Sequence, residues 1–329
     1  MTKLPLGSRA RFDNSLPTKV WFSAKDATRI LHRLLCGTEK RVPQGKVPLV
    51  YRSRESFVTP VTQEPAFTWL GWNTMLINMS GMTILTDPVL SRRASPTGLW
   101  GPSRLHDAPC SVHDLPKIDV VLISHDHYDH LDRATVRALN SADTAFVVPL
   151  GIGRILKRWG ITESRIHELQ WWEDITIGSV TLTATPARHY SGRGLADRYA
   201  SLWAGWSIAG PTHRLFFGGD TGYFSGFSEI ARRLGPFDAT LLPIGAYSRY
   251  WKDVHLSPEQ AVRAHMDLQG GVLIPMHYAT FNLALHDWDE PLIRCLNAAA
   301  QHEVRVLCPP PGRIVNLSDC THNAVWWSN

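Results

Sequence analysis

The chain has 329 residues, 44% hydrophobic and 19% charged, with a formal net charge of +5. That composition supports a large globular core and excludes a disordered or low-complexity chain. The mild basic excess suits an anionic substrate or an anionic membrane surface, and without a dense Lys/Arg run it argues against nucleic acid as a partner.

Five scattered cysteines (Cys36, Cys110, Cys295, Cys308, Cys320) form no Cys-x-x-Cys pair. A reducing, cytoplasmic setting is therefore expected. The first residues lack the apolar core of a signal peptide. No apolar run approaches the roughly 20 residues that span a bilayer, so any membrane contact is expected to be peripheral.

Residues 1–60 read as a helical lead-in expected to pack on the main domain, and residues 61–329 as one catalytic domain. In the lead-in, Ser23 is placed to cap a helix through Leu35, with Ile30, Leu31, Leu34 and Leu35 on one face and Lys25, Arg29 and Arg33 elsewhere. From Phe67 the pattern turns to strands. Phe67–Leu70 and Thr74–Asn78 read as a single strand interrupted at Gly71, and Met82–Thr86 as the next, ended by Asp87-Pro88. Residues 91–116 hold four prolines and read as a long loop. The apolar run Ile118–Ile123 is a buried strand, and Asp132 is placed to cap a helix through Asn140. Further on, Val180–Thr185 leads to His189, Leu215–Phe217 to Asp220, and Val272–Ile274 to His277. Ser257-Pro258-Glu259-Gln260 is a capping box with proline at the first helical position, opening a helix to about Met266.

The strand at 118–123 runs into Ser124-His125-Asp126-His127-Tyr128-Asp129-His130, which packs three histidines and an aspartate into six positions. A lone histidine is usually structural, but such a cluster behind a buried strand is costly to place without a cation. Zinc takes imidazole and carboxylate ligands at about 2.0–2.2 Å. One cluster cannot complete two metal shells, so His189, Asp220 and His277 at other strand ends are candidates for the rest. A consistent division puts His125, His127 and His189 on one cation, Asp129, His130 and His277 on a second, and Asp220 between them. The thiolate-free donor set favours zinc, while iron and manganese share the same donor chemistry. Two cations about 3.5–4 Å apart can clamp both oxygens of a displacement and share a water that becomes hydroxide. Asp129 and Asp220 would fix the cations and hydrogen-bond that nucleophile. His255, just ahead of the capped helix, is the candidate for binding phosphate or protonating the leaving group, with a plain role at the start of the helix as the alternative.

Other features read more plainly. Arg188, Arg193 and Arg198 surround His189 and are expected in surface ion pairs ahead of phosphate contacts. Asp87 is expected to brace the site loop. Leu99-Trp100, Trp171-Trp172 and Tyr250-Trp251 fall in loops, where core packing competes with a membrane or acyl-chain contact. Gly151-Ile-Gly153 has Leu at position 156, so the dinucleotide fingerprint is incomplete, and Gly222 to Gly226 carries its serine one place late for a nucleophile elbow.

His125-x-His127-x-Asp129-His130 with His189, Asp220 and His277 resembles the metallo-β-lactamase superfamily. More narrowly, Thr68–Gly71, Leu85–Pro96, Leu122–Asp132, Gly218–Tyr223, His255–Val262 and His277–Phe281 resemble the phospholipase D family that hydrolyses N-acylphosphatidylethanolamines, and Arg11-Phe12-x-Asn14 is similar to that family's lead-in. The resemblance implies an αββα sandwich, two mixed β-sheets flanked by helices, with two zinc ions at one sheet edge. It also implies hydrolysis of N-acylphosphatidylethanolamines or related glycerophospholipids, and a homodimer. Relatives usually carry His after Leu-Gly, where this chain has Trp72 and then Asn73, which puts ligand orientation and substrate choice in question. The rival readings are a lactone or other carbonyl-ester hydrolase on the same fold, a nuclease, and a non-catalytic metal-dependent sensor.

Overall fold

A computed structural model describes residues 11–21, 23–57, 64–194, 196–321 and 326–327, without the side chains of 320 and 321. The sequence readings on residues 1–10 and on the Cys320 side chain lie outside the described residues.

Six strands come first: β1 (Ala66–Gly71), β2 (Thr74–Met79), β3 (Met82–Thr86), β4 (Val120–Leu122), β5 (Ala145–Pro149) and β6 (Ile166–Leu169). Six more follow: β7 (Asp174–Ile177), β8 (Val180–Thr185), β9 (Gly205–Ala209), β10 (Arg214–Phe217), β11 (Phe237–Pro243) and β12 (Gly270–Met276), with β13 (Ile314–Asn316) near the end. They form a seven-stranded sheet in the order β13-β1-β2-β3-β4-β5-β6 and a six-stranded sheet in the order β12-β11-β10-β9-β8-β7. Each sheet is mixed. β3 through β6 run parallel, as do β10 through β12, while the pairs β1–β2 and β8–β9 are antiparallel.

The layering follows from the two-residue side-chain period of a strand. Phe67 and Trp69 on β1, and Val120 and Leu122 on β4, join Trp206, Phe217 and Leu241 of the other sheet in the central core. Their alternates Leu70 and Val121 face outward into a second core. That core is capped by α2 (Arg133–Ala138) and α3 (Gly153–Arg158) through Val136, Ile155 and Leu156, following the N-terminal α1 (Ala24–Cys36). On the far face of the second sheet, α4 (Gly226–Leu234), α5 (Pro258–Asp267) and α6 (Glu290–Gln301) bury Phe227, Val262 and Leu292. The result is an αββα sandwich. Because each sheet is covered on both faces, shifting a strand by one residue would exchange its two core contacts.

One sequence expectation is corrected. Phe67–Leu70 and Thr74–Asn78 are not one strand but the two arms of an antiparallel hairpin, with Trp69 opposite Met75 and Gly71 opposite Thr74. The two turn residues are Trp72 and Asn73: Trp72 takes a left-handed φ of 54° at the first turn position, and Gly71 (φ 106°) sits at the irregular register just before it. The glycine signals the turn, but a tryptophan at positive φ is not an expected turn residue.

The lead-in helix forms as expected, with the Ser23 hydroxyl accepting from the Asp26 amide at 3.1 Å. It buries no residue, and Leu31, Leu34 and Leu35 stay exposed. Its attachment is polar: the Arg33 guanidinium donates to Glu39 and, at 3.0 Å, to the Leu285 carbonyl. The preceding segment lies against the strand ends, with the Phe12 amide donating to the Tyr199 carbonyl at 2.9 Å and the Lys19 amide to Asp253 at 2.9 Å.

His265 on α5 gives the fold an acid sensitivity. Its Nδ1 lies 2.8 Å from the Thr240 hydroxyl, and burial pushes the imidazole down to about 4. An unfolded histidine titrates near 6.5, so the unfolded chain takes up this proton first as pH falls. The contribution is fully present above about pH 6.5 and lost progressively down to about pH 4, up to about 3 kcal/mol. His265→Gln should therefore show a smaller drop in melting temperature than the parent chain between about pH 7.5 and pH 5, read by thermal denaturation.

Candidate metal centre

The chemistry-bearing residues lie just beyond the carboxyl ends of strands from both sheets. β4 delivers the 124–130 loop, β8 delivers His189, β10 delivers Asp220, and β12 delivers His277 directly. Function carried on loops at one edge of a rigid double sheet is the arrangement that fixes side chains within fractions of an ångström.

The structure brings all seven proposed ligands together in two adjoining groups. In one, His125 Nε2 lies 2.8 Å from His127 Nδ1, which lies 3.3 Å from His189 Nε2. In the other, His130 Nε2 lies 3.2 Å from His277 Nε2, 3.3 Å from Asp220 Oδ2 and 3.4 Å from Asp129 Oδ2. Asp220 stands between the groups, with Oδ1 3.1 Å from His277 Nε2 and Oδ2 3.9 Å from His189 Nε2. Within each group the donor atoms all lie within 4.8 Å of one another.

This donor set fits divalent cations. Imidazole nitrogens that face one another at hydrogen-bond distance need either a shared proton or a shared cation. Burial holds His125 and His189 well below the usual histidine range, so their lone pairs are free to donate. Burial opposes ionisation of Asp129 and Asp220, yet the neighbouring His130 holds both well below the usual carboxylate range, with His277 adding to the effect. Burial likewise opposes charge on His130, and Asp220 and Asp129 overcome it, raising that imidazole well above its ordinary value. The carboxylates thus demand positive charge at the point where the imidazoles converge.

A ring of further contacts orients these groups. Asp87, expected from its position to brace the loop, is fully buried and accepts from the Ser124 amide (2.7 Å), the Ser124 hydroxyl (2.6 Å) and His130 Nδ1 (2.7 Å). His189 Nδ1 points to the Val254 carbonyl at 2.9 Å. Asn14 of the lead-in grips the His189 backbone from both sides, accepting from its amide at 3.0 Å and donating to its carbonyl at 2.7 Å. Nothing in local spacing marks Asn14, and only the likeness of Arg11-Phe12-x-Asn14 to a family lead-in singled it out. Tyr190 packs its ring 4.6 Å from that of His127.

Trp72 has a specific place here. Its indole N–H donates to Asp129 Oδ2 at 3.1 Å, its ring lies 3.8 Å from the His277 ring, and its carbonyl accepts from the His277 amide at 3.1 Å. Next to it, Asn73 Nδ2 lies 3.4 Å from His130 Nδ1. One residue therefore touches two candidate ligands of the same group.

His255 joins the site wall, with Nδ1 3.8 Å from Asp220 Oδ2 and its ring 5.3 Å from that of His189. Burial pushes it down to about 4, although Asp220 opposes the shift. The three arginines near His189 are engaged in structure. Arg188 pairs with Asp253 at 3.2 Å, Arg193 donates to the carbonyls of Asp126 and Leu131, and Arg198 stacks on Trp21. The site opens into a cavity of about 480 Å³. His127, Asp129, Asp220, His255 and His277 line it together with the apolar Val20, Trp251, Val254 and Leu283. Of the loop aromatics, Trp251 lines this cleft, Trp171 and Trp172 pack against the core, and Leu99 and Trp100 are exposed.

Residues 82–278 match the family described as Beta-lactamase superfamily domain, and the chain belongs to that superfamily as a metal-dependent hydrolase of the metallo-β-lactamase fold. It is 48% identical over 293 residues to an uncharacterized protein of Mycobacterium tuberculosis, covering 87% of this chain and 77% of that one. It is 36% identical over 233 residues to the N-acyl-phosphatidylethanolamine-hydrolyzing phospholipase D 1 of Caenorhabditis elegans, covering 67% of this chain. The match spans 65% of the nematode protein, just under two thirds of its length. Among solved structures, Igni18, a metallo hydrolase from the archaeon Ignicoccus hospitalis, shares the fold with a TM-score of 0.59 and 24% identity, over 76% of this chain and 97% of that one.

The contacts of Trp72 predict a measurable effect. Trp72→Phe keeps a ring over His277 but removes the proton donated to Asp129, and metal affinity should fall by about tenfold, read by titration against a competing chelator. Unchanged affinity would reduce Trp72 to a packing residue.

Proposed function

We propose that the protein is a zinc-dependent phosphodiesterase that hydrolyses N-acylphosphatidylethanolamines or related glycerophospholipids with phospholipase D regiochemistry. The observation that carries this is the mixed lining of the cleft: His127, Asp129, Asp220, His255 and His277 share it with the apolar Val20, Trp251, Val254 and Leu283. A ligand with a charged phosphodiester and a long apolar body matches both kinds of lining, whereas a small polar ester would leave the apolar side chains unused. Likeness to a phospholipase D of stated substrate points the same way.

In this reading His125, His127 and His189 hold one cation, Asp129, His130 and His277 hold the other, and Asp220 lies between. Zinc bound there supplies Lewis acidity toward phosphate oxygens and lowers the pKa of water. The chain's own residues do the rest. Asp129 and Asp220 are ionised and accept hydrogen bonds from an attacking water. The water oxygen bonds to phosphorus as the P–O bond on the N-acylethanolamine side breaks, leaving phosphatidic acid. The attacking water sheds one proton as it bonds to phosphorus, and in this reading His255 takes up that proton and returns it to the departing oxygen. His255 is neutral in the free site, and an anionic phosphate beside it favours its protonated form.

The exposed Trp21 (65%), Leu35 (75%), Leu99 (84%) and Trp100 (65%) support peripheral contact with a lipid surface, which we place on the cytoplasmic side. No helix among the described residues is long and apolar enough to cross a membrane. We treat the lead-in and the catalytic domain as one working unit, since Asn14 and Val20 reach the site, and we take the active species as a homodimer.

Metal-replete protein given N-acylphosphatidylethanolamine should release N-acylethanolamine and phosphatidic acid, identified by mass spectrometry. Turnover of lactones or β-lactams with none of the lipid would sink the assignment. His255→Ala should lower kcat by about 10²-fold with metal content unchanged. Full turnover in that variant would remove His255 from the chemistry.

A further inference from the structure

A second pocket lies beside the catalytic cleft and shares its wall. Val20, Trp251 and Val254 line the cleft, while their chain neighbours Lys19, Tyr250, Lys252 and Asp253 line a separate cavity of about 220 Å³. Arg29 and Asp26 of α1 and Arg249 complete it. Four cations thus face two carboxylates. Both carboxylates are already engaged. Asp253 accepts from the Lys19 amide at 2.9 Å and pairs with Arg188 at 3.2 Å, and Asp26 accepts from the Ser23 hydroxyl at 2.8 Å and pairs with Arg29 at 3.5 Å. Among the described residues, no ion pair holds Lys19, Lys252 or Arg249. The Arg249 guanidinium donates to the Tyr250 hydroxyl at 2.8 Å, which leaves the rest of its donor fork open.

Unpaired cations gathered around a concavity repel one another, and that repulsion is relieved when an anion enters. A guanidinium with free donors and two ammonium groups match the oxygens of a phosphate. The surroundings say what the phosphate is attached to. Trp21, two residues from Lys19 along the chain, is 65% exposed, while Leu31, Leu34 and Leu35 lie on the opposite face of α1 from Arg29. A free phosphate has no use for an exposed tryptophan, whereas a phospholipid presents its phosphate at the boundary of an apolar phase.

We propose that this pocket binds the phosphate of an anionic phospholipid and so seats the cleft against the lipid surface. The choice of ligand rests on the lipid reading of the cleft, but the binding itself needs no turnover.

The test is co-sedimentation of the metal-replete full chain with vesicles of phosphatidylcholine alone or with about 20% phosphatidylglycerol, at matched ionic strength. The parent chain should favour the anionic vesicles by about tenfold or more, and Arg249→Ala combined with Lys252→Ala should erase that preference. Both side chains are exposed, so the fold is expected to survive, and an unchanged melting temperature checks it. Lys117→Ala, an exposed lysine paired with Asp143 ahead of β4, should leave the preference intact. Inorganic phosphate provides the second arm, by calorimetric titration of parent and double variant. Full anionic preference in the double variant would overturn the site. Phosphate binding that depends on Arg249 and Lys252, with no vesicle preference in the parent chain, would overturn the lipid assignment in favour of a soluble anion. Loss of lipid hydrolysis with vesicle preference retained would count against the catalytic reading alone.

Discussion

The centre depends on compensating buried negative charge. Asp87, Asp129 and Asp220 crowd one point, and Asp87 and Asp220 are buried. A buried carboxylate without a counter-charge costs several kcal/mol, which no domain of ordinary stability can leave uncompensated twice over. His130 is the hub that answers them. Its Nδ1 lies 2.7 Å from Asp87, while its Nε2 faces Asp129 and Asp220. With Nδ1 committed to Asp87, Nε2 is the nitrogen left to meet positive charge, whether a proton or a cation. The same logic fixes His189, whose Nδ1 is committed to the Val254 carbonyl. In both residues an outer partner sets the tautomer and so decides which ring atom faces the centre.

That arrangement needs a scaffold which does not yield. Each ligand-bearing loop leaves a strand covered on both faces, so the strand cannot slide without disturbing two cores at once. Two sheets supply ligands to one point, and neither could do so alone. The lead-in adds a third source of constraint. Asn14 holds the His189 backbone through two hydrogen bonds, and Arg188, on the residue before, donates at 2.7 Å to the Pro17 carbonyl. A segment that looks peripheral in sequence thereby becomes part of the site's support.

What the sequence revealed and what it hid follow from range. The 124–130 run was legible because its ligands are neighbours in the chain and follow a buried strand. His189, Asp220 and His277 were legible by a weaker rule, that a strand followed by a potential ligand recurs. The capping box and the strand periods were also local, and they placed α5 and the strands β3, β4, β8, β10 and β12, while β5, β6, β7, β9 and β13 carry no comparable signal. The β1–β2 hairpin was misread because its first turn residue is a tryptophan, which takes left-handed backbone only where the fold over-determines it. Here the Trp72 amide donates to the Thr280 hydroxyl at 2.8 Å and its carbonyl accepts from the Trp69 indole at 2.9 Å, contacts no local pattern displays. The α1 stripe was legible as a stripe, but amphipathicity cannot say which way a helix faces, and this one leaves its leucines outward. Asn14 was beyond local reading altogether, since its partner lies 175 residues away.

The fate of the basic residues near the site bears on how an anionic ligand would be met. Arg188, Arg193 and Arg198 flank His189 in sequence, yet each is turned to structure. Arg188 ties the lead-in to Asp253, Arg193 satisfies two loop carbonyls beside Tyr128, and Arg198 lies against aromatic rings. Among the described residues, no lysine or arginine lines the catalytic cleft. An anion entering that cleft would therefore have its charge met at the His/Asp centre and by His255, which concentrates electrostatic stabilisation on the reacting group instead of spreading it along the ligand. Were the cleft to take a phosphodiester as proposed, the basic side chains of the neighbouring pocket would meet a different part of the lipid surface and not compete for that group.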